Sequence, residues 1–214
     1  MNQPTLSLLG SMTEEQRMMR ESLHRLMSDL ATPAYLREID DQARYPHEIY
    51  DAWIELGLLR IGLPEQYGGL GGSLADLVWI SQDLAHWSYD VYTAYSVPLY
   101  TALTLLKIGS EAQKSHYLPA LMQGQIKLST SISEPSAGSD VSALTTTAHR
   151  VEGGWSIRGQ KLWNTAAGEP GNVLQVLVKT DPTAPARKGM SMFLVPNDTP
   201  GVQCRKLDML GRRA

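Results

Sequence analysis

The sequence predicts an α+β chain: an all-α domain over residues 1–124, then an antiparallel, barrel-like β domain over residues 125–214. Two observations carry this. From 13 to 124 the apolar residues recur at helical spacing, whereas from Ile126 onward they alternate with polar ones. The alternating runs are short and are separated by Gly, Pro, Asn and Asp, the residues that turn a chain between strands.

Thr13 caps the first helix with Gln16 as its capping-box partner, and Met19, Leu23, Leu26, Met27 and Leu30 form one face. Pro46 suits the first turn of a second helix. Ile49, Trp53 and Leu56 line its buried side, and Gly57 supplies a left-handed C-terminal cap. Residues 64–72 are glycine-rich, but no strand precedes them and the lysine of a P-loop is absent, so they read as a chain-turning connection. Ser73 opens a helix carrying Leu77, Ile80 and Leu84, and residues 97–108 are apolar nearly all round, which predicts a central buried helix. Ser110 and Gln113 make another capping box, opening a helix that Pro119 should kink or shorten.

Beyond Gly124, Ile126, Leu128, Thr130 and Ile132 alternate with Lys127, Ser129, Ser131 and Ser133, which predicts a half-buried strand with one small, hydroxylated face. Further strands are predicted over 144–151, 155–158, 161–165, 173–179, 190–195 and 202–207. Gly153-Gly154 reads as a hairpin connection and 181–189 as an exposed loop.

At 214 residues and 43% hydrophobic content the chain can bury a sizeable core. Charged residues are 19% and the net charge is −3, which gives no electrostatic case for nucleic acid or an acidic membrane surface. A small molecule or another protein is the expected partner. Cys204 is the single cysteine, so an intrachain disulfide and a multi-cysteine metal site are both excluded; it reads as a buried, inert thiol in a reducing compartment. His24, His47, His86, His116 and His149 are scattered without metal-ligand spacing, and no metal site is expected. Residues 1–10 lack a basic n-region, and the apolar run at 97–108 is too short to span a bilayer, so a soluble cytoplasmic protein is expected. Arg205, Lys206, Arg212 and Arg213 make a basic end, either a solvated strand end or a contact for a nucleotide phosphate.

The segment Ser131-Ile132-Ser133-Glu134-Pro135-Ser136-Ala137-Gly138-Ser139-Asp140 supplies hydroxyls, small residues and backbone N–H groups suited to an anionic cofactor. Downstream, Gly159-Gln160-Lys161-Leu162-Trp163-Asn164-Thr165 supplies a flat aromatic and a hydroxyl. Together, in this order, the two resemble the paired flavin-binding signatures of the acyl-CoA dehydrogenase family. The 64–72 loop also resembles one that joins early helices in that family. The resemblance implies FAD as cofactor and an acyl-CoA as substrate. In such an enzyme the thioester is oxidised to the 2-enoyl-CoA, and the electrons pass to an electron-transfer flavoprotein, as in fatty acid metabolism. It further implies a homo-oligomer, typically a homotetramer, with no nucleic acid and no membrane span. The family's C-terminal helical domain, which carries its catalytic base, has no counterpart here, so the β domain is expected to be incomplete and the chain unable to turn over an acyl-CoA unaided.

Residue by residue, the resemblance places Thr130, Ile132 and Ser133 along the pyrimidine edge of the flavin, with Ser133 as hydrogen-bond donor. Gly138 and Ser139 are placed near the cofactor, Ser139 also near the pantetheine arm of the substrate. Trp163 packs against the ring and Thr165 approaches N5. Asn164 stands where an aliphatic residue is usual, so it either adds an amide near the ring or faces solvent. Ser136 stands where glycine is usual and would be strained if the site needs positive φ. Glu134 and Asp140 read as loop-capping carboxylates rather than bases. Without the flanking pattern, Trp163 would read as a core aromatic. The same motifs occur in acyl-CoA oxidases, which pass electrons to oxygen; a non-catalytic flavin- or acyl-binding fragment and a purely structural module are the readings from other classes.

Overall fold

The computed structural model describes residues 12–185 and 188–211. Expectations placed on residues 1–10 and on Arg212 and Arg213 lie outside them. Contacts divide the chain into two units, residues 1–96 with 208–214 and residues 97–207.

The first unit is helical. Helix α1, Glu14–Leu30, starts at the predicted box: the Thr13 hydroxyl accepts from the Gln16 N–H while the Gln16 side chain accepts from the Thr13 N–H. Helix α2, Pro33–Asp41, is capped by Thr32 and begins on a proline whose missing N–H costs nothing at that position. Helix α3, His47–Leu56, follows Pro46 and ends on Gly57 in the left-handed conformation. Helix α4, Leu74–Trp87, opens on Ser73 with Asp76 as its box partner. Leu23, Met27, Ile49, Trp53, Ile80 and Leu84 are fully or almost fully buried, and Trp53 meets Tyr50 and Tyr95 edge-on. Arg20 grips Asp83 with two hydrogen bonds of 2.6 and 2.7 Å, joining α1 to α4. The 64–72 connection closes on itself, with Leu70 N–H and Gly71 N–H donating to the carbonyls of Arg60 and Leu63. A Cβ at Gly69 would lie 2.0 Å from the Leu63 oxygen, so glycine is required there by backbone crowding.

Helix α5, Tyr89–Ile108, begins eight residues before the predicted apolar run and continues through Pro98; the division between the units falls within it. The second unit holds the rest of α5, then α6 and the sheet. Helix α6, Glu111–Met122, has the Ser110–Gln113 box and runs past Pro119 for three residues.

Among the described residues five strands form one sheet: β1 (Lys127–Ser131), β2 (Thr147–Val151), β3 (Gly154–Arg158), β4 (Asn172–Lys179) and β5 (Met190–Pro196). This sheet is mixed and open, which corrects the antiparallel, barrel-like expectation. β1 runs parallel to β4, pairing Lys127 with Asn172 through Ser131 with Val176; β2 touches β4 in parallel at Thr147 and Lys179; β2–β3 and β4–β5 are antiparallel. The long connection between β1 and β4 makes parallel pairing sterically possible, and alternation in sequence does not encode strand direction. The hairpin turn is Glu152-Gly153, since Gly154 already pairs with Val151. Two predicted strands, 161–165 and 202–207, are irregular. Ser129 and Ser131 are buried, so β1 is covered on both faces rather than one. Ala148, Leu174, Val176 and Val178 form a core around β4 with Phe193 and Val195 of β5.

Candidate functional site

The geometry of β1 and β2 builds the site. Both lie on the same side of β4, β1 against its first half and β2 at its far end, so residues 132–146 form an excursion between two fixed points. The excursion turns at once. Glu134 and Ala137 exchange backbone hydrogen bonds of 2.7 and 3.2 Å around Pro135-Ser136. Ser136 does not have positive φ, so the strain expected of a serine there is absent. Gly138 and Ser139 follow on the exposed outside of the loop. A Cβ at Gly138 would meet nothing within 4 Å, and its φ is not left-handed, so no neighbour in the chain accounts for glycine there. Asp140 accepts from the Ser142 N–H at 2.9 Å, which starts the short 3-10 turn Val141–Ala143, and hydrogen bonding from the Ser142 side chain first and its N–H second lowers the pKa of Asp140.

The neck of the excursion is stapled by Glu134, whose side chain is wholly buried. Its carboxylate accepts from the N–H and hydroxyl of Thr145, at 2.6 and 2.7 Å, and from the N–H and hydroxyl of Thr146. The Lys161 ammonium, itself 8% exposed, adds a bond of 2.9 Å. Burial alone would push the Glu134 carboxyl up; the bonds from Thr145, Thr146 and Lys161 outweigh it and hold the group well below the usual carboxylate range. Burial likewise lowers the pKa of Lys161, and Glu134 only partly opposes this. Gly159 admits the staple, because a Cβ there would collide with Thr146.

Lys161 also donates to the Ile132 carbonyl at 3.1 Å, and the Leu162 N–H donates to the Ser133 carbonyl at 2.8 Å. The two sequence motifs therefore meet side by side, although the second is not a strand. Its extended path breaks at Trp163, which has φ +63° and is 62% exposed. For a bulky residue that conformation costs about 1–2 kcal/mol. Side chains of the sheet hold the chain beyond it by its carbonyls. Ser129 donates to the Thr165 oxygen at 2.9 Å, and Asn172 donates to Ser129 at 2.7 Å and to the Ala166 oxygen at 2.5 Å. Asn197 donates to the oxygens of Ala167 and Glu169. Cys204, expected to be buried, is exposed, with its thiol 3.4 Å from the Ala167 oxygen.

Of the remaining candidates, Ile132, Ser133, Asn164 and Thr165 are half-buried. Among the described residues no hydrogen-bond partner engages the Ser133 hydroxyl. The Thr130 hydroxyl lies 3.0 Å from that of Thr101, which donates to the Val97 carbonyl at 2.7 Å. Thr101 has thus spent its proton, so Thr130 donates to it and keeps lone pairs to offer. Sequence reasoning missed Lys161, Thr145, Thr146, Ser129, Asn172 and Asn197 as site builders; only Lys161, inside a motif, carried a signal.

An exposed indole at Trp163, an uncommitted hydroxyl at Ser133, a hydroxyl able to accept at Thr130 and an unobstructed Gly138 are what the two segments offer a ligand. No group of three or more His, Cys, Asp or Glu among the described residues could hold a metal ion, and no described helix is long and apolar enough to cross a membrane.

Comparison with known proteins agrees with this geometry. Residues 13–125 match the acyl-CoA dehydrogenase N-terminal domain and 129–214 the middle domain of the same family. The chain is 33% identical to mitochondrial isovaleryl-CoA dehydrogenase of Pongo abelii, with 98% of this chain and 50% of that protein covered. It superposes on an acyl-CoA dehydrogenase from Geobacillus kaustophilus with a TM-score of 0.86 at 28% identity, covering 96% of this chain and 54% of the other. A glutaryl-CoA dehydrogenase from Mycobacterium smegmatis, solved in complex with FADH2, matches with a TM-score of 0.84 at 25% identity, with 98% and 52% covered. The chain thus spans about half the length of these relatives.

Proposed function

The chain belongs to the acyl-CoA dehydrogenase family, and on that footing we propose that it forms a flavin- and thioester-facing part of an FAD-dependent acyl-CoA dehydrogenase. The observation that carries the proposal is Trp163: a largely exposed tryptophan held in a left-handed backbone conformation, one residue past the bond that ties Leu162 to Ser133. FAD, when bound, supplies the acceptor for the hydride that leaves the acyl β carbon. This chain's residues position and shield. Trp163 offers an apolar face to the ring and keeps water from it. Ser133 directs its hydroxyl proton to the ring edge that gains electron density, and Thr130 accepts from an N–H on the same edge. Ile132, Asn164 and Thr165 complete the wall beside them. Gly138 lets the loop come close to the cofactor, and Ser139 serves both the cofactor and the pantetheine arm of the thioester.

Glu134 and Asp140 are assigned no proton-transfer role. Five donors saturate Glu134, and Asp140 is engaged in capping. Electrons are passed on to an electron-transfer flavoprotein, for which a redox dye substitutes in assay. The test is a titration of the purified chain with FAD, followed by flavin fluorescence, and then anaerobic addition of acyl-CoA while the visible spectrum is recorded. Saturable binding that Trp163→Ala weakens, and a shift of the flavin bands without bleaching on adding the thioester, are expected. An unquenched titration, or identical affinity in Trp163→Ala, would refute the assignment.

A further inference from the structure

Resting on that reading of the site, we propose that the buried Glu134–Lys161 pair is a positioning device: it holds Trp163 in its exposed, left-handed conformation and so presets the platform on which the cofactor lies. An exposed indole has every reason to turn inward, because burying an aromatic side chain is among the largest gains available to a folded chain. A left-handed backbone at a bulky residue is unfavourable as well. Both features persist only if the chain on either side is fixed. Downstream, the carbonyls of Thr165 and Ala166 are held by Ser129 and Asn172. Upstream, the fixings are the Lys161 bond to the Ile132 oxygen and the Leu162 bond to the Ser133 oxygen, next to each other on both segments.

Lys161 is the element that makes the upstream fixing rigid. Its ammonium bridges Ile132 and Glu134, and Glu134 is in turn locked by Thr145 and Thr146 across the neck of the excursion. With both charges out of water, neither can leave without stranding the other. Trp163 and Asn164 form the short span between the two sets of fixings. Loosening the upstream set frees the backbone at Trp163 to return to negative φ, and the indole then turns toward the protein.

The experiment uses the full chain. Trp163→Phe, in each background, isolates the Trp163 part of the tryptophan fluorescence by difference, and acrylamide quenching then reports its exposure. Lys161→Met removes the bridging donors while keeping the apolar stem; Lys161→Arg keeps charge and donors. In Lys161→Met the Trp163 signal is expected to shift to the blue and to lose about half its quenching, while FAD affinity falls about tenfold, the scale of losing hydrogen bonds from a charged group. Lys161→Arg, which keeps charged donors for the Ile132 and Glu134 oxygens, is expected to restore both measures to within about twofold of the parent chain. Should Lys161→Met fail to fold, Lys161→Gln, uncharged but still a donor, carries the comparison with intermediate values. Unchanged Trp163 emission and quenching in a folded Lys161→Met or Lys161→Gln chain would overturn the positioning role. The quenching test needs no cofactor, so failure of the parent chain to bind FAD would count against the functional reading and leave this one to be judged on fluorescence.

Discussion

The left-handed backbone at Trp163 makes a quantitative prediction that involves neither cofactor nor substrate. At an ordinary exposed position, replacing alanine by glycine destabilises a protein by about 0.5–1 kcal/mol, because glycine loses more backbone freedom on folding. At φ +63° the balance changes: alanine pays the left-handed penalty of about 1–2 kcal/mol, and glycine does not. Trp163→Gly is therefore expected to be more stable than Trp163→Ala by about 0.5–1 kcal/mol, the difference of those two terms. The indole is 62% exposed, and whatever packing it does make is lost in both variants, so the comparison cancels it. Urea unfolding followed by far-ultraviolet circular dichroism measures the difference as a shift in midpoint at constant slope. For a chain of this length it corresponds to about 1–4 °C in melting temperature. If Trp163→Ala is the more stable of the two, the backbone there is not left-handed, and the case for an enforced, ligand-facing tryptophan falls with it.

Three further outcomes follow from the site. Ser133→Ala is expected to slow anaerobic bleaching of bound flavin by acyl-CoA more than it weakens FAD binding, by about 1–3 kcal/mol in that step; the dissociation constant and the bleaching rate in an assembled enzyme decide it, and equal losses would contradict a donor acting on developing charge. Glu134 has a depressed pKa in the folded chain, so its contribution to stability is present above the unfolded value of about 4.3 and is lost as pH falls through the lower folded value. Urea midpoints of the parent chain should accordingly drop as the medium is acidified below that point, and Glu134→Gln should be less stable at neutral pH with a shallower acid slope; parallel slopes would contradict the staple. Asn172→Ala removes donors to Ser129 and to the Ala166 oxygen in a buried setting, and should cost about 1–3 kcal/mol in the same urea assay.

What the sequence made legible was local. The boxes at Thr13 and Ser110, the cap at Ser73 and the left-handed cap at Gly57 stand where the residue types placed them, because each is settled within four residues of chain. Thr32-Pro33 is an equally good start signal for α2, but the nine-residue helix behind it is too short for its apolar period to stand out. The direction of β1 against β4 was not legible: Lys127 to Ser131 alternate identically whichever way the partner runs, and the partner lies some forty residues further along the chain. Residues 161–165 failed as a strand for the same reason in reverse. Their pattern suits an extended chain, but the path turns at Trp163, and Ser129 and Asn172 claim the carbonyls of Thr165 and of Ala166 just beyond.

That failure and the proposed function share one cause. A tryptophan inside a regular strand would have its backbone fixed by neighbours on both sides and its ring committed to one face of the sheet, usually the core. Here the ladder is replaced by side-chain bonds from Ser129, Asn172 and Lys161 to individual carbonyls, which leaves Trp163 and Asn164 between them and lets Trp163 adopt a conformation that no ladder permits. Sequence periodicity detects ladders and is blind to such point fixings, because the donors come from three separated stretches of chain. The residues that look least like regular structure are therefore the ones whose geometry is most heavily specified, and an aromatic platform facing solvent is what that specification leaves standing.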